Sequence, residues 1–309
     1  MLWAATERRP RRESRVSGRR PRIAVLDDDT EFVELMQVLL EEEGLAYVRP
    51  ALSAADDDPV AALASCRADA AVVGLRPPDG GVAIIERIRA HPRLRRMPVL
   101  VCSADIQLLR EEAGALAALE NVAALEKPFR IDALVGALER LLAGSLHPPS
   151  LGTVPDTGAI QALEAWLARL GGTLRWPVLD AWVPDARPGM LRCAAAWAAS
   201  AKLNAFAQVS RRTLLPVGGG LPGRIWVSGR AAWVEDLSSD LNFPRLPTAR
   251  RTGLVSAAAV PVLDSGEIVG VVAGYDQRLR ARDVAELERL RMAAVDASPI
   301  LRAAAGLSA

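Results

Sequence analysis

The chain has 309 residues, half of them apolar and 24% charged. That is enough apolar material for about two domains, and it excludes collagen-like repeats and wholesale disorder. A formal net charge of +1 excludes a chain-wide electrostatic clamp on nucleic acid or membrane.

The near-neutral total hides a split. Residues 1–22 carry eight Arg against two Glu, so the remainder is acidic by five charges. The basic run Arg8–Arg22 has no interleaved aromatics for base stacking, and the start (1–21) is expected to be a disordered tail rather than a nucleic-acid reader. Only Lys127 and Lys202 are lysines. Cys66, Cys102 and Cys193 are scattered, and His91 and His147 stand alone. Neither a structural zinc site nor a disulfide framework can be built from them. The thiols fit a reducing, cytoplasmic setting. No apolar run approaches the roughly 18 residues needed to span a bilayer, and no signal-peptide core opens the chain.

From residue 22 short apolar runs alternate with amphipathic stretches. Strands are expected at Ile23–Leu26, Ala46–Val48, Ala70–Leu75, Pro98–Cys102 and Val122–Leu125. Phe32, Leu35, Met36, Leu39 and Leu40 form a helical stripe capped by Asp29 or Thr30. Further helices are expected at Pro59–Cys66, around Val82–Ile88, at Asp105–Leu116, and along Ile131–Leu142. Five apolar strands alternating with helices predict a doubly wound, parallel α/β layer whose site lies at the carboxyl ends of the strands.

A segment rich in Pro, Gly, Ser and Thr (144–158) reads as a linker. Beyond it six of the seven Trp fall between 166 and 233. An amphipathic helix at Ile160–Leu170 precedes strand-like runs at Val178–Val183, Leu191–Trp197, Ala232–Asp236, Ala257–Leu263 and Ile268–Tyr275. The last two are joined by a hairpin turn at Asp264-Ser265-Gly266-Glu267, and a helix follows at Arg282–Val295. This predicts an α+β domain on an antiparallel sheet, over 159–297, with a short tail at 298–309.

Three features converge at the strand ends of the first domain. Asp27 and Asp28 follow strand one, Ser103 follows strand four, and Lys127-Pro128-Phe129 follows strand five. Paired carboxylates suit Mg²⁺, and a hydroxyl with an ammonium could hold a phosphoryl group. In this order the residues resemble the receiver domain of response regulators, over about 22–143. The resemblance implies a Mg²⁺-binding acid pair at Asp27 and Asp28, the hydroxyl after strand four at Ser103 and the lysine before Pro-Phe at Lys127. It also implies a phosphate-accepting Asp at the end of strand three, and that position is Gly74. The switch aromatic of the family falls on Ala124. Acceptor and responding group are both missing, so the expectation is a receiver fold that does not run on phosphorylation, with Mg²⁺ weak if bound at all. The competing reading lets Asp79, Asp27 or Asp28 take the phosphate, as in a two-component phosphorelay. For Lys127 and Ser103 plain structural roles stand alongside: neutralising the acid pair and tying down a loop.

Gly218-Gly219-Gly220-Leu221-Pro222-Gly223-Arg224 lacks the spacing and the Lys of a nucleotide loop, and chain-breaking glycines before a short helix explain it without a ligand. The longer run GGGLPGRIWVSGRAAWVEDLSSDLNFPR resembles GAF sensory domains of the bacterial sensor-kinase type. That resemblance implies a small-ligand cavity on one face of a central antiparallel sheet and pairing through terminal helices. Trp182, Trp197, Trp226 and Trp233 are the candidates to border such a cavity, against the alternative that they are core. Cys193 reads as a buried thiol. No kinase lid, phosphorylatable His bundle or helix-turn-helix is recognisable. The chain is therefore expected to be a non-enzymatic signalling protein, homodimeric, with a partner such as a sensor kinase, no membrane contact and an unidentified GAF ligand.

Overall fold

The computed structural model describes residues 19–50, 58–75, 82–144 and 156–307. Most of the basic start, the alternative acceptor Asp79, most of the linker and His147 lie outside them.

The first unit runs β1 (Arg22–Leu26), α1 (Thr30–Glu42), β2 (Ala46–Val48), α2 (Pro59–Ser65), β3 (Ala70–Gly74), α3 (Ala83–Ala90), β4 (Val99–Ser103), α4 (Ile106–Glu111), α5 (Ala113–Ala117), β5 (Val122–Glu126) and α6 (Ile131–Leu142). Its five strands are parallel in the order β2-β1-β3-β4-β5. Strands that are apolar at every position must be covered on both sides. Met36, Leu40, Leu134 and Leu138 from α1 and α6 cover one face. Leu63, Ile85, Ile88 and Leu116 cover the other. Asp29 caps α1 by accepting the Phe32 N–H at 3.1 Å. The helix expected across Asp105–Leu116 is two, α4 and α5, parted at Glu112.

The second unit runs α7 (Thr157–Leu174), β6 (Val178–Pro184), β7 (Met190–Ala198), α8 (Ala201–Arg212), β8 (Leu214–Pro216), α9 (Gly220–Ser228), β9 (Ala232–Val234), a 3₁₀ turn at Leu237–Ser239, α10 (Leu246–Thr252), β10 (Ser256–Asp264), β11 (Glu267–Asp276), α11 (Val284–Val295) and α12 (Ser298–Ala305). The six strands are antiparallel in the order β8-β7-β6-β11-β10-β9. Leu163, Leu167, Leu290 and Leu301 from α7, α11 and α12 pack on one face. Phe206, Leu221, Trp226 and Ala249 from α8, α9 and α10 pack on the other.

One expectation is corrected. Residues 298–305 are not a tail but helix α12, and Leu301 and Ala304 are fully buried. A helix with that much apolar surface is held by packing rather than by its length. No helix among the described residues is long and apolar enough to cross a membrane.

Candidate functional site

The parallel sheet delivers Asp27, Gly74, Ser103 and Lys127 to one edge, because each sits at or just past the carboxyl end of its strand. Lys127 Nζ donates to Asp27 Oδ2 at 2.5 Å. The same ammonium stands 3.3 Å from the centroid of the Phe32 ring, a cation–π contact. Asp27 Oδ1 accepts the Asp29 N–H at 3.0 Å. Both carboxylate oxygens are thus engaged, and the Asp27 side chain is only 4% exposed. Asp28 is exposed.

Gly74 explains where the Asp27 carboxylate lies. A Cβ at position 74 would fall 2.2 Å from Asp27 Oδ2. The space that a side chain at 74 would enter is filled by its neighbour's carboxylate, and Lys127 neutralises it there. Ser103 Oγ accepts the Asp105 N–H at 3.1 Å and points at the Leu75 carbonyl at 3.4 Å, a loop-fixing role. Lys127 N–H donates to Ser103 O at 2.7 Å. Cys102, beneath this edge, has its thiol pushed up to about 12 by burial and is inert.

These residues do not fit Mg²⁺. A hard dication needs several oxygen ligands. Position 74 offers none, and the Asp27 carboxylate is already neutralised by an ammonium. No group of three or more candidate ligands occurs among the described residues.

The next residues along β5 meet the second unit. Ala124, where the resemblance places a switch aromatic, is buried, and a Cβ at Gly218 would lie 2.0 Å from its carbonyl oxygen. Gly218 has φ +91°, a left-handed conformation that glycine adopts without cost. Glu126 N–H donates to Gly218 O at 3.1 Å, and the Glu126 carboxylate accepts the Gly220 N–H at 2.8 Å. Burial raises the Glu126 carboxyl above its ordinary value, against the opposing pull of the Gly220 N–H and Arg224. Asn242 Nδ2 donates to Glu126 O at 2.9 Å and to Pro128 O at 2.5 Å. On α6, a Cβ at Gly136 would lie 2.5 Å from Ser228 O. The glycine run, read from sequence as ligand-free, is therefore a docking strip. Its first two glycines, Gly218 and Gly219, lack side chains where these would strike the Ala124 carbonyl and Ile106 of the first unit.

Behind this contact the second unit holds a fully buried ionic network. Arg245 Nη1 donates to Asp180 Oδ2 at 2.6 Å and also to Ser210 Oγ, while Nη2 donates to the Tyr275 hydroxyl at 2.6 Å. Trp182 Nε1, at 2.8 Å, and the Tyr275 hydroxyl, at 3.2 Å, donate to Asp180 Oδ1, and the Ser210 hydroxyl reaches Oδ2 at 3.0 Å. The guanidinium lies 4.8–5.4 Å from the rings of Trp182, Phe206, Phe243 and Tyr275. Burial opposes the charge of Arg245, but Tyr275 and Asp180 outweigh it and raise its value. Burial pushes the Tyr275 hydroxyl well up.

The four tryptophans proposed to border one cavity do not do so. Trp182 and Trp226 pack in the cluster around this network, whereas Trp233 and Trp197 belong to the opposite face of the sheet. Trp233 meets Trp176 edge to face at 5.6 Å and donates to Arg280 O at 2.8 Å. Alternation puts residues of opposite parity on opposite faces, and the strand positions alone did not fix which. Cys193 is buried, its thiol raised by burial, as expected of it. The sequence reading missed Asp180, Ser210, Tyr275 and Glu126. The one signal was a lone carboxylate, Asp180, within an otherwise apolar strand.

Comparison with known proteins agrees with the second fold. The family model of GAF domains matches residues 179–301. A type II free methionine-R-sulfoxide reductase from Thermoplasma acidophilum is similar at 16% identity, over 48% of this chain and 94% of that one, with a TM-score of 0.38. The GAF domain of an Acinetobacter phosphoenolpyruvate-protein phosphotransferase is similar at 14%, over 55% and 91%, with a TM-score of 0.38. A domain of a Sinorhizobium meliloti two-component sensor histidine kinase is similar at 15%, over 48% and 93%, also with a TM-score of 0.38. No curated protein matches the chain.

Proposed function

We propose that this chain is a signal-transduction protein in which a receiver-like unit works without phosphorylation and takes its state from a GAF-like unit docked on it. The observation that carries the reading is the Gly74–Asp27–Lys127 arrangement. The position expected to bear an acceptor has no side chain, and the carboxylate in its stead is shielded, with both oxygens occupied. Attack on a phosphoryl donor needs a carboxylate oxygen open to that donor. Output passes by contact to a signalling partner such as a sensor kinase, in the cytoplasm, with no reaction catalysed.

One observation favours the second reading, a phospho-accepting regulator: Asp27 touches the lysine that the resemblance assigns to phosphate binding. Incubation with acetyl phosphate and Mg²⁺ followed by intact mass separates the two. The first reading expects no added phosphoryl group, and stoichiometric addition at Asp27, Asp28 or Asp79 would establish the second.

Homodimerisation is part of the proposal. Helix α11 leaves Val284, Met292 and Val295 exposed at 68, 56 and 44%. A sedimentation mass equal to one chain at every concentration would remove it. A small ligand seated at the Arg245 network itself would have to displace the aromatic side chains packed around it.

A further inference from the structure

The contact between the units includes, beside the glycine run, a second segment that reaches further than the interface. Residues 242–245 are consecutive, and both ends are anchored in different chemistry. At one end Asn242 Nδ2 bridges the carbonyls of Glu126 and Pro128, which flank Lys127 on both sides. Asn242 is itself fixed. Its carbonyl accepts from Arg224 Nη1 at 2.9 Å, and its N–H donates to Asp240 Oδ1 at 3.1 Å. Arg224 also pairs with Asp240 at 2.7 Å, and Asn242 is 3% exposed. Next, the Phe243 ring lies 6.3 Å from Phe206, nearly parallel, and 6.1 Å from Tyr275. At the other end Arg245 is locked to Asp180, Ser210 and Tyr275.

We propose that the segment Asn242–Arg245 is a mechanical relay between the buried Asp180–Arg245–Tyr275 network and the Asp27–Lys127 pair, so that a change in the second unit's interior resets the position of the Lys127 amine. It rests on the contact-signalling reading above and deepens it by naming the path of regulation. The segment is four residues long and held at each end by side-chain hydrogen bonds inside packed surroundings. Such a segment shifts as a body instead of absorbing a displacement. Because coupling between two sites is reciprocal, release of Lys127 from Asp27 must in turn loosen the Arg245 network. Asparagine is required at 242, since two amide hydrogens must reach two carbonyls at once, and an aspartate of the same shape offers none.

The chain carries its own control for a test. Its two lysines are Lys127, on the relay, and Lys202, exposed at the start of α8. Trace acetylation of the full chain with acetic anhydride, read by mass spectrometry as the Lys127 to Lys202 ratio, reports the amine directly. The wild type should give a low ratio, because the Lys127 side chain is 17% exposed and held by Asp27. Tyr275→Phe removes one hydroxyl from the far network and should raise the ratio several-fold, with circular dichroism unchanged. Asn242→Ala should raise it as well, and Tyr275→Phe added to Asn242→Ala should change it no further. If Tyr275→Phe does not fold, Ser210→Ala serves in its place. A ratio unmoved by the network variants overturns the relay, and so does an equal rise with and without Asn242. The acetyl phosphate experiment decides the phosphorylation question separately, so either reading can fail while the other stands.

Discussion

The two units each bury a carboxylate against a cation at nearly the same distance, 2.5 Å for Asp27–Lys127 and 2.6 Å for Asp180–Arg245, yet the pairs do different work. Asp27–Lys127 sits at a sheet edge, and a flexible amine partly open to solvent closes over it. Asp180–Arg245 sits inside a core, and every oxygen and most donor positions are taken by Trp182, Ser210 and Tyr275. A planar guanidinium offers several fixed donors and stacks on rings, while an ammonium is a compact charge on a mobile stem. The difference teaches that the edge pair moves at little cost and the core pair only at a larger one. That is the asymmetry expected when one reads out the state of the other.

The largest expected effect comes from breaking the core pair. Asp180→Ala leaves a guanidinium buried among aromatic rings without its counter-charge, and the penalty for such a break is about 3–5 kcal/mol. Urea denaturation of the variant should show it, and a loss below about 1 kcal/mol would mean the network is solvated on demand. The second effect tests the docking strip. Gly218→Ala and Gly44→Ala both force alanine into a left-handed backbone, with φ +91° and +81°. Nothing lies within 4 Å of a Cβ at Gly44, whereas one at Gly218 meets the Ala124 carbonyl. The backbone penalty alone is about 1–2 kcal/mol, so Gly218→Ala should cost clearly more than Gly44→Ala and should speed amide exchange in 122–126. Equal costs would mean the units separate freely.

Third, Asp27→Asn should cost about 2 kcal/mol, the scale of a hydrogen bond to a charged group. It should also raise Lys127 acetylation, since the amine loses its carboxylate. The smallest effect is in pH. Burial raises the Glu126 carboxyl in the folded chain, so the folded form takes up a proton more readily than the unfolded one. The favourable contribution is therefore present at low pH and is lost as pH rises from the ordinary glutamate range through the raised value. Glu126→Gln keeps an oxygen for the Gly220 N–H, and its stability should not fall over that interval. Parallel curves for the two proteins would show that Glu126 does not titrate there.

How much of this was legible depends on where each partner stands in the chain. Asp27, Ser103 and Lys127 could be read because each follows an apolar run directly or, for Lys127, one residue on, and a parallel sheet brings such ends together whatever the loops do. The lack of a side chain at Gly74 could also be read, at a defined strand end. The consequence could not: that the Asp27 carboxylate fills the space beside it is a matter of side-chain volume. Asp180 and Arg245 are 65 residues apart, and nothing local announces their pairing, although an acid in the run Val178–Val183 had to find a partner. Helix α12 was missed because Ser298-Pro299 looks like a stop, and proline is in fact well suited to the first turn of a helix. The split of the four tryptophans escaped because spacing does not announce the extra residue in β7 opposite Ala181–Trp182, which puts Trp197 on the other face from Leu191 and Cys193.

The seat of Gly218 on β5 has one more effect, on how the molecule behaves among its neighbours. β5 is a margin of the parallel sheet, and a bare margin is a template on which foreign strands polymerise. Here the outward amide of Glu126 is satisfied by the chain's own glycine, and the opposite margin, β2, is three residues long. The same contact that joins the two units therefore also occupies part of the margin on which another strand would add.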